Sequence, residues 1–305
     1  MAYPPPVNHP ISIPHVCTVR RLVGDRAAPD APGLLIEVPH GATEAAHYFE
    51  LAAQMRSNLP ENLERFFFVN TDVGSPECAE AIARSMVAAD PTATVTILRC
   101  LIPRTLIDCN RIIDADPARY AEGGVTPGIA PYVDHPEDRS LLLSRYRAYQ
   151  EQAVAAFAQS CGRGGRAVML HTYAPRTVGI SQIDRDIVRN LAAVYVPDVY
   201  AAWPLRPEAD LLTATPEGVD LSDRAAVEGI LAALRAAGVA AGEGETYPLH
   251  PVTTAYHHAA RYPGQTVCME VRRDMLVDFV PFVPLSPDPK RVASIGAAIA
   301  AGLRC

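Results

Sequence analysis

Two histidines each close an apolar run: His40 ends LLIEVPH (34–40) and His171 ends AVMLH (167–171). Three carboxylates stand where they could join them. Glu44 follows His40 by four positions, Asp72 opens a helical stretch, and Glu270 lies in TVCMEVRR. Two imidazoles and one carboxylate make an N2O donor set, which suits a catalytic zinc with a position left for water. A further acid nearby, such as Glu270, could then accept the water's proton. Against this, a histidine after a strand is more often a hydrogen-bonded loop residue. Glu44 could equally be a solvated first-turn acid, and Asp72 a helix cap. His257-His258 is a competing pair, expected in a loop or at a rim, because neighbours on a strand face opposite ways.

A second constellation is IPRTLIDCNR, where Arg104, Asp108, Asn110 and Arg111 crowd the segment after an apolar strand. An arginine there offers a fork for a substrate carboxylate or a charge for a developing oxyanion, and Asn110 adds directional hydrogen bonds. The competing reading is a structural ion-pair network around Asp108. No GxSxG, Walker or GxGxxG pattern occurs, and the glycines at 162–165 read as a helix stop and turn.

The elements that must position these residues alternate. Strands are expected at Leu34–Pro39, 94–102, RAVMLHTY ending in His171, AAVYVPDVY (192–200) and TVCMEVRRDMLV, with HVCTVRRLV as an edge strand. Helices are expected at 45–58, 61–66, from Pro76, at 139–161, at Ser222–Gly238 and over SIGAAIAAGL, with loops at 114–138 and 239–262. This alternation predicts an α/β protein: one domain over 1–305 after an irregular segment 1–30, with a mostly parallel mixed sheet covered on both faces. Ligands then bind beyond the carboxyl ends of the strands.

With 305 residues, 49% of them hydrophobic, the chain can bury a deep pocket. A net charge of −7 provides no global field for nucleic acid or anionic membrane. Lys290 is the sole lysine, so carboxylate-binding forks are plentiful while a Schiff-base lysine is disfavoured. Seven scattered cysteines without a CxxC pair form neither a disulfide framework nor a thiolate zinc site. The N-terminus lacks a signal-peptide pattern, and no apolar run reaches the roughly 18–20 residues of a membrane span. A cytoplasmic protein is the expectation, with its oligomeric state left open.

VPHGA (38–42), TDVGSPECAEAIA (71–83), PRTLIDCNR (103–111), LHTY (170–173) and CMEVRRDML (268–276) occur in an order that resembles the N-formylglutamate amidohydrolase family. That family is related in fold to the zinc carboxypeptidases. The resemblance covers roughly 33–280, and its specific blocks are DxNR and E-[IV]-x-R. It implies a zinc carboxypeptidase-like hydrolase fold, a Zn2+ held by His40, His171 and an acid, Glu270 as general base, and Asn110-Arg111 on a substrate carboxylate with Arg104 close by. For the acid, Asp72 matches the family's TD block, while Glu44 imitates the carboxypeptidase H-x-x-E spacing with one extra residue. Asp72 is preferred.

The implied activity is metal-dependent cleavage of the linear amide of a small N-formyl or N-acyl amino acid bearing a carboxylate, with Glu270 and Arg104 as catalytic residues and Arg104 or Arg111 stabilising the tetrahedral oxyanion. A carboxypeptidase-like or γ-glutamyl peptide hydrolase, and a non-catalytic carboxylate-binding protein, are the alternatives. The sequence departs from the family pattern at Met169, where an acid is usual, at Thr253-Thr254, where Gly-Gly is usual, and throughout 200–250.

Overall fold

The computed structural model describes residues 9–29, 31–116, 118, 120, 126–180 and 182–304. Seven strands form one mixed sheet: β1 (Cys17–Val23), β2 (Leu34–Val38), β3 (Thr94–Cys100), β4 (Arg166–Tyr173), β5 (Ala209–Leu212), β6 (Ala241–Glu243) and β7 (Thr266–Arg272). Their order is β1-β3-β2-β4-β7-β5-β6. The central strands β3, β2, β4 and β7 run parallel, as their uninterrupted apolar sequences require. β1 adds antiparallel to β3 at the edge, as its sequence suggests, and β5 adds antiparallel to β7.

Helices cover both faces. On one side α3 (Ser75–Ala89), α7 (Arg224–Ala236) and α9 (Pro289–Gly302) pack over Ile36, Val168, Leu170 and Val271. On the other lie α1 (Ala45–Ala52), α2 (Leu63–Asn70), α4 (Pro136–Ser160), α5 (Ile187–Val194) and α8 (Thr254–Arg261), over Leu35, Met169 and Cys268. The short α6 (Pro197–Ala202) follows α5. Strand alternation thus gives each face its own core and turns Glu37, His171 and Glu270 toward the second face. The six described cysteines are free and buried, and no described helix is long and apolar enough to cross a membrane.

Several expectations need correcting. The expected strand at 192–200 is helix α5, a turn and helix α6. Ile187, Leu191 and Tyr195 are the buried positions there, spaced by four, and this helical face outweighs the β-branched residues between them. The expected loop 239–262 contains β6 and α8. The four-residue β5 carries no alternation of its own and exists through its ladder with β7. α1 is shorter than 45–58, α2 runs beyond 66 to Asn70, and α4 starts at Pro136 inside the expected loop 114–138. Of that loop, residues 117, 119 and 121–125 lie outside the described residues.

Candidate active site

His40 stands in the turn after β2, on the Pro39–Gly41 corner. A Cβ on Gly41 would lie 2.5 Å from Arg99 Cγ, so the corner needs glycine to pass that side chain. Asp72 sits between α2 and α3, where Gly74 at φ +90° makes a left-handed turn that L side chains rarely adopt. His171 and Glu270 are not strand ends. Both strands continue for two more residues, and the parallel β4–β7 register pairs the two residues side by side.

Three buried groups converge. His171 Nδ1 is 3.1 Å from His40 Nδ1 and 3.1 Å from Asp72 Oδ2, and His40 Nδ1 is 3.3 Å from the same oxygen. These residues form a group that could hold a metal ion. The donor chemistry fits one. His40 Nε2 meets Asp108 Oδ1 at 2.7 Å, a contact that puts the ring proton on Nε2 and leaves Nδ1 as a lone pair. His40 Nδ1 and Asp72 Oδ2 then face each other as acceptors at 3.3 Å, a repulsive contact that a cation, or a proton on His171 Nδ1, would relieve. The 3.1–3.3 Å separations among the three donor atoms lie close to the roughly 3.3–3.4 Å edge of a tetrahedron with metal–ligand bonds of about 2.0–2.1 Å. His171 Nε2 is buried without a partner.

Glu44 is not in the group. It caps α1, its side chain is 64% exposed, and it pairs with Arg99 at 2.9 Å. Nor is the His257-His258 pair. It lies on helix α8, where His258 stacks on Phe157 with ring centroids 3.9 Å apart and planes 3° from parallel. Burial, helped by the nearby charges of His257 and Arg261, lowers His258 to about 3, so it is a neutral core histidine.

The DxNR segment braces the group and reaches beyond it. Burial alone would raise the Asp108 carboxyl, but the charges of Arg111 and Arg104 and the hydrogen bond from His40 hold it well below the usual range. Arg104 bridges Asp108 at 3.0 Å and Asp72 at 3.4 Å. Arg111 lies 3.7 Å from Asp108 and donates to the carbonyls of Thr126 and Asn110. Asn110 Oδ1 accepts from Thr254 Oγ1 and Ala255 N, so the first turn of α8 locks this residue in place. The ion-pair reading and the ligand reading of this segment are therefore compatible: Asp108 is the hub, while Arg104, Asn110 and Arg111 also line a cavity.

That cavity, of about 270 Å³, opens over the group and is lined by His40, His171 and Glu270. Burial raises Glu270 to about 7, against the opposing charge of His171, and its Oε2 has no partner. A carboxyl so placed can exchange a proton near neutrality. Among the lining residues that sequence reasoning missed are Arg206, Tyr247 and Arg273. Arg273 had a signal, since it closes the E-V-R-R block. Arg206 and Tyr247 lie in the stretch that departs from the family pattern and had none.

The model of the N-formylglutamate amidohydrolase family matches residues 33–277. No curated protein matches the sequence. In fold the chain is similar to the crystal structure of N-formylglutamate amidohydrolase from Ralstonia eutropha JMP134, with a TM-score of 0.56 at 16% identity, over 95% of this chain and 96% of that one. It is also similar to a gene product of Agrobacterium tumefaciens, with a TM-score of 0.51 at 16% identity, over 95% and 93% of the two chains. Since the family match runs through every segment that builds the cavity, the chain belongs to the N-formylglutamate amidohydrolase family and is a hydrolase of that type.

Proposed function

We propose that the protein is a zinc-dependent amidohydrolase that cleaves the amide of a small N-formyl or N-acyl amino acid bearing a carboxylate. The observation that carries this reading is the convergence of His40, Asp72 and His171 beside Glu270, in a cavity that Arg104, Asn110 and Arg111 also line. The ligands would be those three side chains, with Asp108 fixing the tautomer of His40. Zinc bound there would supply a Lewis acid and a water whose pKa falls toward about 7.

The chain's own groups do the rest. Arg111 and Asn110 hold the substrate carboxylate and so orient the scissile amide over Glu270. Glu270 takes a proton from the attacking water at its unpartnered Oε2 and returns it to the amine nitrogen as the C–N bond breaks. One water is consumed, and the products are a carboxylic acid (formate for an N-formyl substrate) and a free amino acid. Arg104 holds Asp72 and Asp108 in place and sets a positive charge at the cavity wall.

The test is metal analysis of the purified protein beside turnover of a panel of N-formyl and N-acyl amino acids. Stoichiometric zinc and turnover of a panel member are expected. A metal-free, inactive protein that still binds the panel would replace this reading with that of a carboxylate binder. Glu270→Gln keeps the shape and removes the base, so zinc content should hold while turnover falls by about 10²–10⁴.

A further inference from the structure

Four arginines line the cavity, and they differ in what already occupies them. Arg104 bridges two carboxylates. Arg111 has Asp108 and two carbonyls. Arg206 commits all three nitrogens, to Thr177 Oγ1, the Ala174 carbonyl and the Tyr247 hydroxyl. Arg273 is different. It is the largest fully buried side chain, 2% exposed, yet its guanidinium has no ion pair among the described residues. Its one hydrogen bond runs from Nη1 to the Val69 carbonyl at 2.9 Å, and its Nε is buried without a partner.

Holding a cation this way is costly, because a buried charge without a counter-ion loses its hydration and regains little. Two features offset part of the loss. Val69 O is among the free carbonyls at the C-terminal, negative end of α2. The Phe279 ring lies 5.8 Å from the guanidinium carbon. Neither neutralises the charge, and the carboxylates of Asp72 and Glu270 favour it without pairing with it. A fixed, under-compensated cation facing a cavity is what electrostatic preorganisation looks like before the negative charge arrives.

Its position says which charge that is. The turn after β7 brings Arg273 back to the cavity three residues beyond Glu270, and the charges of both Asp72 and Glu270 bear on it. The substrate carboxylate belongs on the wall of Asn110 and Arg111. The part of the substrate lying between the metal-binding acid and the base is the acyl carbon with its oxygen. We propose that Arg273 is a catalytic residue that donates to the acyl oxygen and stabilises the charge it gains when water adds. This rests on the amidohydrolase reading above and goes beyond it in naming the cation that meets the oxyanion.

The alternative is a brace, in which Arg273 only ties the turn after β7 to the end of α2. The experiment compares native protein, Arg273→Met and Arg273→Lys in three measurements: melting temperature, kinetics on the best N-acyl substrate of the zinc-loaded enzyme, and calorimetric affinity for glutamate and for an N-phosphonyl glutamate. The anionic phosphonyl oxygens of the second ligand mimic the adduct, and its binding is read with and without zinc. Arg273→Met should lower kcat by about 10²–10³, the usual loss for one oxyanion donor, with KM within a few fold. Affinity for the phosphonyl compound should fall by at least tenfold, while affinity for glutamate holds.

Native kcat in Arg273→Met would make the residue a brace. Weakened glutamate binding with kcat retained would move it to a substrate carboxylate. Either result overturns the assignment. Should Arg273→Met not fold, Arg273→Lys decides, since it keeps the charge but loses the fork, and native kcat there would also overturn it. If native protein turns over no N-acyl amino acid, the amidohydrolase reading fails, and the difference in phosphonyl affinity still tests Arg273.

Discussion

Asp72 is where most of the site's contacts meet. Its Oδ2 lies within 3.1–3.3 Å of both histidine nitrogens and of the Thr172 amide, and its Oδ1 faces Arg104. Burial opposes its ionisation, but the two imidazoles and the Arg104 charge around it hold the carboxyl below its ordinary range. Asp72→Ala should therefore lose bound zinc in elemental analysis, whereas Glu44→Ala, which alters a solvated pair with Arg99, should keep it. The reverse pattern would restore the carboxypeptidase-like spacing as the ligand. Arg111 carries the second prediction at this scale. If its fork holds a substrate carboxylate, the native enzyme should process amidated analogues poorly, and Arg111→Ala should erase that preference while the protein stays folded. Equal rates on acid and amide forms of the substrate would remove the clamp, and the substrate class with it.

At the scale of elements, α8 closes the cavity's far wall and also locks Asn110, so its seating matters to the site. It is seated by a histidine. His258 lies flat on Phe157 of α4, and its Nε2 is buried with no partner. Its folded value near 3 lies below the ordinary 6.5, so between those values the unfolded chain binds the extra proton. Its contribution to stability is complete above about pH 6.5 and is lost as the pH falls toward 3. Phenylalanine keeps the stack and removes both the orphaned nitrogen and the titration. His258→Phe should raise stability by about 1–2 kcal/mol at pH 7.5, from relief of the unsatisfied group. The gain should widen at pH 5, read as urea midpoints at the two values. An unchanged difference between the two pH values would show that His258 does not couple folding to protonation.

For the molecule as a whole, the three candidate ligands come from distant parts of the chain: the end of β2, the α2–α3 junction and the middle of β4. An ion held by all three binds the folded state and has no equivalent site in the unfolded one. At a free concentration 100 times Kd that linkage is worth about 2.7 kcal/mol. Chelation should therefore lower the melting temperature by several degrees, at about 2–4 °C per kcal/mol for a chain of this order of size, and zinc should restore it. A melting curve indifferent to chelator and to zinc would count against a shared metal.

The sequence by itself determined the α/β class, the parallel centre of the sheet and the segments that carry His40, Asp72, the DxNR residues, His171 and Glu270. Those signals are local: a buried parallel strand reads as an apolar run, and polar residues directly after such runs are exceptional enough to be noticed. Where a strand's reason for existing lies in its neighbour, the sequence was silent or misleading. β5 is four residues long with Asp210 in its middle, and it is a strand because it pairs with β7. The VYVPDV stretch has the residues of a strand, but the helix before it follows from packing at a spacing of four, and the short exposed helix within it starts at Pro197. The TD block already favoured Asp72 over Glu44, and the folded chain places Asp72, but not Glu44, beside the two histidines. Tertiary structure also brought Arg206, Tyr247 and Arg273 to one cavity, and left Arg273 buried there with no ion pair among the described residues, because pairing is a property of side chains made neighbours by the fold and not by the order of the chain.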